Sequence, residues 1–305
     1  MKVADVHGAS FADGLQNAGV TLRTGAFTVR VRSPLAVVAQ GMSLLYADYP
    51  PVAAHEFCDF DVRIDTGRGA RRWFRPQARF VFDGHSPFDP LPAEQGFLLL
   101  EWAMNWCVSS YAHHVLVLHA AVVERNGFAA ILAAPSGSGK STLCAGLVSR
   151  GWRLLSDELT LISPADLSIQ PLGRPISLKN RSIDVMRSFA PEAVFNHITS
   201  DTVKGAVTHM KVPPEHLQKM AETAQPKWVI FPRYLQGAPA TLTPRSRANS
   251  VLELGRNAFN YAVLGTTAFE VLGNVVAASD CYDFAYGDLN DAVSQFDQLA
   301  ESARR

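Results

Sequence analysis

The feature that most constrains the fold is a glycine-rich segment in the middle of the chain, Ala134-Pro135-Ser136-Gly137-Ser138-Gly139-Lys140-Ser141. It has the spacing of a phosphate-binding loop, in which a small residue and four others precede Gly-Lys-Ser. Such a loop stands between a strand and a helix. The apolar run 128–133 predicts the strand, and residues 141–148 predict the helix. The sequence therefore predicts an α/β domain that binds a nucleoside triphosphate.

Each residue type in the loop has a physical role in holding phosphates. Gly137 and Gly139 allow backbone conformations closed to other residues, so that successive N–H groups converge on the β-phosphate. The start of the following helix adds a partial positive charge. Lys140 reaches the β- and γ-phosphates, and Ser141 offers a hydroxyl to Mg²⁺. The predicted cofactors are ATP and Mg²⁺, and the predicted nucleotide-binding residues are Pro135, Ser136, Gly137, Ser138, Gly139, Lys140, Ser141 and Thr142.

A pair of carboxylates follows the next predicted strand, 152–155, in Trp152-Arg153-Leu154-Leu155-Ser156-Asp157-Glu158. Adjacent side chains on an extended segment point to opposite sides. One carboxylate can therefore meet the metal while its neighbour meets an acceptor hydroxyl. The predicted metal ligands are Ser141, Asp157 and Glu158. The short spacing from Lys140 to Asp157, without an LSGGQ-like signature, argues against a transporter-type ATPase.

Composition narrows the possible partners and compartment. The chain of 305 residues carries 28 Lys and Arg against 28 Asp and Glu, so no global field favours nucleic acid or an anionic membrane. Cys58, Cys107, Cys144 and Cys281 form no CxxC pair, which is typical of reduced thiols in a cytoplasmic protein. The start lacks a signal-peptide pattern, and the apolar stretch 97–123 is interrupted by polar residues.

The N-terminal part predicts a smaller α+β domain over residues 1–112. Alternating residues indicate strands in 27–38 and 57–64 and a strand running into a turn at 79–84, with helices over 35–46 and 94–111. This part has no phosphate loop or acid/base pair of its own. We therefore expect it to bind a partner or complete the fold.

Residues 113–305 predict the phosphate-loop domain. A strand over 115–123 and a turn at Asn126-Gly127 lead to the loop strand, and the β-α-β order that follows favours a parallel sheet. Further strands are predicted at 159–162 and 227–231, with helices at 249–259 and 289–299. The segment 202–214 has no clear period, so it is a candidate lid or acceptor-binding loop.

Several cations are candidates to face the phosphates, because charge developing on a transferred phosphoryl group needs fixed positive groups. The whole set consists of Arg174, Lys179, Lys204, His209, Lys211 and Arg233.

Several segments together resemble a known family. They are Leu118-His119-Ala120-Ala121-Val122-Val123, the loop, Arg150 to Glu158, Leu100 to Cys107, Arg174-Pro175-Ile176-Ser177-Leu178-Lys179-Asn180 and Phe231-Pro232-Arg233-Tyr234. They resemble HPr kinase/phosphorylase and, more closely, the HPr-kinase-related kinases of type A.

This resemblance implies a P-loop kinase domain with the fold shared by HPr kinase and phosphoenolpyruvate carboxykinase, and an acceptor that is often a serine. The general base of HPr kinase and the histidine beside it match Asp157 and His119. The chain departs from that pattern at Glu158, which replaces a second Asp. It also lacks a convincing copy of the segment used for phosphorylase activity. The implied catalytic residues are Asp157, His119, Lys140, Lys179 and Arg174.

The leading hypothesis is a Mg²⁺-dependent kinase that transfers the γ-phosphoryl group of ATP to a hydroxyl, a protein or peptide serine first of all. A nucleotide-gated binding module without phosphotransfer and a kinase for a small hydroxyl metabolite stay open. From its strand alone, His119 is better explained as a core histidine than as a catalytic one. Assembly into a homo-oligomer is also open.

Overall fold

A computed structural model describes residues 2–3, 11–53, 56–67 and 74–303. These ranges form a mixed α/β structure in which strands occupy four separate sheets. Within the described ranges, no helix is both long enough and apolar enough to cross a membrane.

The N-terminal part is built around a five-stranded sheet. Its elements, in chain order, are α1 (Phe11–Gln16), β1 (Val20–Arg23), β2 (Thr28–Arg32), α2 (Ala36–Leu45), β3 (Phe60–Thr66), β4 (Gln77–Val81), β5 (Leu91–Pro92) and α3 (Gly96–Tyr111). The strands follow in the order β1-β2-β3-β4-β5. Only β2 and β3 run parallel. The predicted strands 57–64 and 79–84 and both predicted helices are confirmed to within three residues. The strand predicted over 27–38 is shorter, because β2 ends at Arg32.

Helices α2 and α3 pack closely beside this sheet. A Cβ atom on Gly41 of α2 would lie 2.2 Å from the Phe97 ring of α3, so only glycine allows the helices to approach this closely. Helix α3 also contacts β3 and β4. It therefore joins the N-terminal sheet to the part of the chain that follows.

The remaining elements alternate strands and helices. In chain order they are β6 (Leu116–His119), β7 (Ala121–Arg125), β8 (Phe128–Leu132), α4 (Lys140–Val148), β9 (Arg153–Ser156), β10 (Leu159–Ile162), β11 (Ile169–Gln170), β12 (Ile176–Lys179), α5 (Arg181–Phe189), β13 (Thr199–Thr202), β14 (Gly205–Met210), α6 (Pro214–Gln218), β15 (Gln225–Tyr234), β16 (Thr241–Pro244), α7 (Arg247–Arg256), α8 (Tyr261–Leu264), α9 (Thr266–Ala278), β17 (Asp280–Tyr286) and α10 (Leu289–Ser302).

A six-stranded sheet carries the glycine-rich loop. Its strand order is β16-β17-β15-β8-β7-β9. Strands β8, β15 and β17 run parallel, whereas β7 runs antiparallel to both β8 and β9. The sheet is therefore mixed, whereas the sequence predicted a parallel one. Because β9 again runs in the direction of β8, the carboxyl ends of β8, β9, β15 and β17 meet at one edge.

The prediction of a single strand over 115–123 is wrong, because this stretch forms two strands, β6 and β7, which are separated at Ala120. Strand β6 leaves the six-stranded sheet and pairs with β10 in the sheet β11-β10-β6. The backbone N–H of His119 then donates to Asn257 O at 2.7 Å. Residues 116–118 and 121–123 are buried and apolar, so the apolar pattern continues across this position.

A three-stranded antiparallel sheet, β12-β14-β13, lies beside these strands. Residues 205–210 of the segment predicted as a loop form β14 and pair with β12. The sheet, rather than a free loop, therefore positions this part of the chain.

The largest apolar core draws on both parts of the chain. It includes Val62 and Phe80 of the N-terminal sheet together with Trp152 and Trp228 of the six-stranded sheet. A second core, containing Ile131 and Val229, lies among the strands and helices of the C-terminal part. The division at residue 112 stays a prediction.

Candidate functional site

The glycine-rich loop connects β8 to α4 in a conformation that depends on its glycines. Gly137 and Gly139 have φ angles of +85° and +94°, a region that other residues rarely adopt. A Cβ atom on Gly139 would also lie 2.5 Å from the Tyr286 hydroxyl oxygen. Position 139 is therefore restricted by backbone angle and by space, whereas position 137 faces open space.

Neighbouring strands hold this loop in place. The backbone N–H of Tyr234, at the end of β15, donates to Ser138 O at 2.8 Å. The hydroxyl of Tyr286, at the end of β17, donates to Gly139 O at 2.9 Å. Helix α4 then begins at Lys140, so its free N–H groups point out of an anchored loop.

Lys140 carries a buried ammonium group without a hydrogen-bond partner. The residue is only 7% exposed, and its Nζ is one of the buried polar atoms that contact no acceptor. Burial lowers its pKa, while the charges of Asp157 and Glu158 act in the opposite direction. A buried cation without a partner is costly, so the arrangement is suited to an anionic ligand.

Asp157, like Lys140, carries a buried polar atom without a hydrogen-bond partner, but here the atom is an acceptor. One of its oxygens, Oδ2, accepts the backbone N–H of Ser177 at 3.0 Å, and the other, Oδ1, is buried without a partner. Burial and the nearby charge of Glu158 raise its pKa to about 6, against the lowering effect of Lys140. The Ser141 side chain is also close enough to lower this pKa.

Glu158 is held by two side chains. Asn105 of α3 donates through Nδ2 to Glu158 Oε2, and Lys179 Nζ lies 3.8 Å from Glu158 Oε1. Burial opposes its ionisation, yet Lys179 and Arg174 keep its pKa below the usual value. Glu158 is therefore an ionised carboxylate beside Asp157.

Arg174 is buried and engaged with α3. It donates to Asn105 Oδ1 and to the backbone oxygen of Glu101, and its guanidinium lies 3.9 Å from the Glu101 carboxylate. The hydroxyl of Tyr46 in turn donates to Glu101 at 2.6 Å. Arg174 is thus tied to Glu101 and Asn105. Its hydrogen-bonded link to Glu158 runs through Asn105, while its charge also acts on Glu158 directly.

Residue-level reasoning did not single out Glu101, Asn105 or Ser177 for the site. A signal was available in α3, where Glu101 and Asn105 are four residues apart in a strongly apolar sequence. Residues at this spacing lie on one helical face. Ser177 acts only through its backbone N–H, which leaves no trace in the sequence.

His119 lies at the end of β6, with its ring 5.9 Å from that of Phe259. Burial, and then the positive charge of Lys140, lower its pKa to about 4. The imidazole is therefore neutral near pH 7 and close enough to the loop lysine to be influenced by its charge.

The other predicted cations are placed differently. Lys204 Nζ lies 4.9 Å from the centre of the Trp102 ring, and His209 is buried with a pKa lowered to about 4, chiefly by burial. Lys211 pairs with Asp48 at 2.7 Å, away from the acidic pair. Arg233 is exposed at the end of β15.

A small pocket lies beside the acidic pair. Helix α3 contributes Trp102 and Asn105, and Arg174 and His209 complete much of the remaining wall with Asp157. Two of its lining residues, Asn105 and Ser177, donate hydrogen bonds to the two carboxylates.

Known proteins match part of the chain. The family model of the SynChlorMet cassette protein ScmC matches residues 94–173, which include α3, the loop and the acidic pair. No curated protein matches the chain. Among solved structures, the HPr(Ser) kinase/phosphatase from Coxiella burnetii matches with 12% identity and a TM-score of 0.28. The match covers 62% of this chain and 95% of that one, and a TM-score this low carries no argument about function.

Proposed function

We propose that the chain is an ATP- and Mg²⁺-dependent kinase of the P-loop type, which transfers the γ-phosphoryl group to a hydroxyl, most simply a serine of a protein. The supporting observation is the pair of unpartnered buried groups, Lys140 Nζ and Asp157 Oδ1, at the start of α4 and the end of β9. A phosphate would neutralise the first, and a hydroxyl or a metal would satisfy the second.

The loop and Lys140 would hold the phosphates. The backbone N–H groups at the start of α4 point toward an anion, and the helix start adds partial positive charge. Lys140 would lie against the β- and γ-phosphate oxygens. Since its ammonium is already desolvated by the fold, a bound phosphate would offset the cost of that burial.

The oxygen-bearing residues of the site fit Mg²⁺. Glu158 and the Ser141 hydroxyl are hard oxygen donors of the kind that this ion prefers, which leaves Asp157 to act as the base. The described part of the chain has no cluster of three or more His, Cys, Asp or Glu side chains that could hold a metal. Mg²⁺ does not need one, because it keeps waters and binds substrate phosphates. When bound, it would neutralise charge on the β- and γ-phosphate oxygens.

Asp157 would act as the general base. Its pKa of about 6 leaves it mostly ionised at neutral pH but a better base than an ordinary aspartate. As the acceptor oxygen bonds to the γ-phosphorus, the hydroxyl proton passes to Asp157 and the bond to the β-phosphate oxygen breaks. The products are ADP and a phosphorylated acceptor.

The other residues have supporting roles in this proposal. Lys179, paired with Glu158, is the cation best placed to face the transferred group. Arg174 orients the site through Asn105 rather than through phosphate contact. Neutral His119 would donate or accept a hydrogen bond beside Lys140.

Replacing Asp157 by Asn separates a kinase from a nucleotide-gated module. We expect the D157N variant to bind ATP with near-normal affinity in calorimetry and to lose phosphotransfer by a factor of about 10² or more. Phosphotransfer equal to that of the wild type would rule out Asp157 as the base. Normal ATP binding with no transfer by the wild type would support the gate instead.

A further inference from the structure

The two sides of the glycine-rich loop differ. Along the sheet edge, β9 with Asp157 and Glu158 lies on one side of β8, and β15 and β17 lie on the other. In the proposed function the γ-phosphate lies toward the acidic pair. The α-phosphate and the nucleoside must then extend toward the ends of β15 and β17, since ligands of such sheets bind outside the carboxyl ends of the strands.

Tyr234 is the last residue of β15 and stands at that position. It belongs to the segment Phe231-Pro232-Arg233-Tyr234, to which the proposed kinase mechanism gives no role. Its backbone N–H donates to Ser138 O at 2.8 Å. A Cβ atom on Gly139 would lie 3.0 Å from the Cβ of Tyr234. These two contacts fix Tyr234 directly against the phosphate loop.

The ring of Tyr234 is available to a ligand. The residue is 40% exposed, although large aromatic residues are usually well buried. Its ring meets that of Tyr286 edge-on, with 5.7 Å between the centroids. Because Tyr286 is itself bound to Gly139 O, both rings keep a fixed position relative to the loop. A pre-positioned aromatic surface of this kind suits stacking by a nucleobase.

We infer that Tyr234 is the base-stacking residue of the nucleotide site, with the nucleobase of the triphosphate lying on its exposed ring. The inference rests on the proposed function. It assigns the loop and Lys140 to the phosphates, and Tyr234 to the base. Stacking on one ring favours any flat base, so it does not require adenine.

The test compares two ligands that both carry three linked phosphates, each with Mg²⁺. ATP has a base, and inorganic tripolyphosphate has none. Affinities are measured by calorimetry for the wild type and for Tyr234→Ala, Tyr234→Leu and Tyr234→Phe. We expect the alanine and leucine variants to bind ATP about tenfold more weakly, with tripolyphosphate affinity unchanged within about twofold. The phenylalanine variant keeps the ring and should bind ATP as the wild type does.

The leucine variant keeps bulk above Gly139 and serves if the alanine variant unfolds. Phe269→Ala is the matched control, because Phe269 is an exposed aromatic residue of α9. The inference is overturned if the leucine variant weakens both ligands equally, or neither. A wild type that binds neither ligand overturns the proposed function itself, and this inference with it.

Discussion

Asp157 combines burial, a neighbouring carboxylate and a nearby lysine at a single position. Burial and the Glu158 carboxylate raise its pKa while Lys140 lowers it, and the result is a pKa of about 6. At Lys140 burial acts in the opposite direction and lowers the pKa, while Asp157 and Glu158 raise it. The two residues thus depend on each other, and the electrostatics of the site is set by individual side chains.

The pKa of Asp157 predicts the pH dependence of turnover. A general base must be ionised, so kcat should rise with pH up to about 6 and level off above it. Below that value, kcat should fall about tenfold for each pH unit. Measuring kcat between about pH 5 and about pH 8 checks this. A flat profile over that range would exclude an ionised Asp157 as the base.

The two loop glycines predict different costs of substitution. Gly139→Ala places a methyl group 2.5 Å from the Tyr286 hydroxyl at a φ of +94°. Gly137→Ala is strained only by its φ of +85°, because its surroundings are open. We expect the 139 variant to lose about 1–3 kcal/mol more unfolding free energy than the 137 variant, measured by urea denaturation. Equal losses would contradict the close approach of Tyr286 to the loop.

At the scale of elements, α3 is the helix that joins the two parts of the chain at the site. Its apolar face is buried, while Asn105 donates to Glu158 and Glu101 lies against Arg174. The Asn105 amide can satisfy both neighbours in only one orientation, because Arg174 only donates and Glu158 accepts. The helix therefore sets the orientation of Glu158.

Replacing Asn105 by Leu should remove this orientation. We expect the Mg²⁺ concentration needed for half-maximal ATP binding to rise by about tenfold or more, since partners of metal ligands commonly have effects of this size. ATP affinity in EDTA should stay unchanged. Ser109→Ala is the control, because Ser109 lies one turn along α3 and bonds only to its own helix. Identical Mg²⁺ dependence in the two variants would show that Asn105 does not position Glu158.

Elements with a clear local pattern are predictable from the sequence, and those set by distant contacts are not. Strand β10 has the predicted bounds, and the loop lies between its predicted strand and helix. Strand β15 is longer at both ends than the predicted strand 227–231. It contains Pro226 and Pro232, and proline usually marks the edge of a strand. Helix α9 has no counterpart among the predicted helices. It begins with two β-branched threonines, which have low helix propensity, and burial of one face stabilises it.

The same distinction holds within the site. The loop and the acidic pair are local motifs, whereas Arg174 meets Glu101 across 73 residues of sequence. No periodicity reveals such a pair. The packing of the sheets decides which acidic residue each cation meets. Lys179 pairs with Glu158, whereas Lys211 pairs with Asp48.

At the scale of the whole molecule, the site needs both parts of the chain. The phosphate loop and the acidic pair come from the six-stranded sheet. The residues that orient the pair include Asn105 of α3, and Tyr46, the residue after α2, supports them by donating to Glu101. One apolar core extends across both parts. The N-terminal part therefore contributes to the geometry of the site, in addition to any partner that it binds.

The central claim is that the γ-phosphoryl group of ATP passes to a hydroxyl of an acceptor. The most direct measurement adds the protein, Mg²⁺ and γ-labelled ATP to dialysed cell extract and identifies the labelled species by mass spectrometry, with Lys140→Ala as the inactive control. The account predicts a phosphoserine on a protein that is absent with the control variant. ATP binding by the wild type without transfer of label to any acceptor would contradict it.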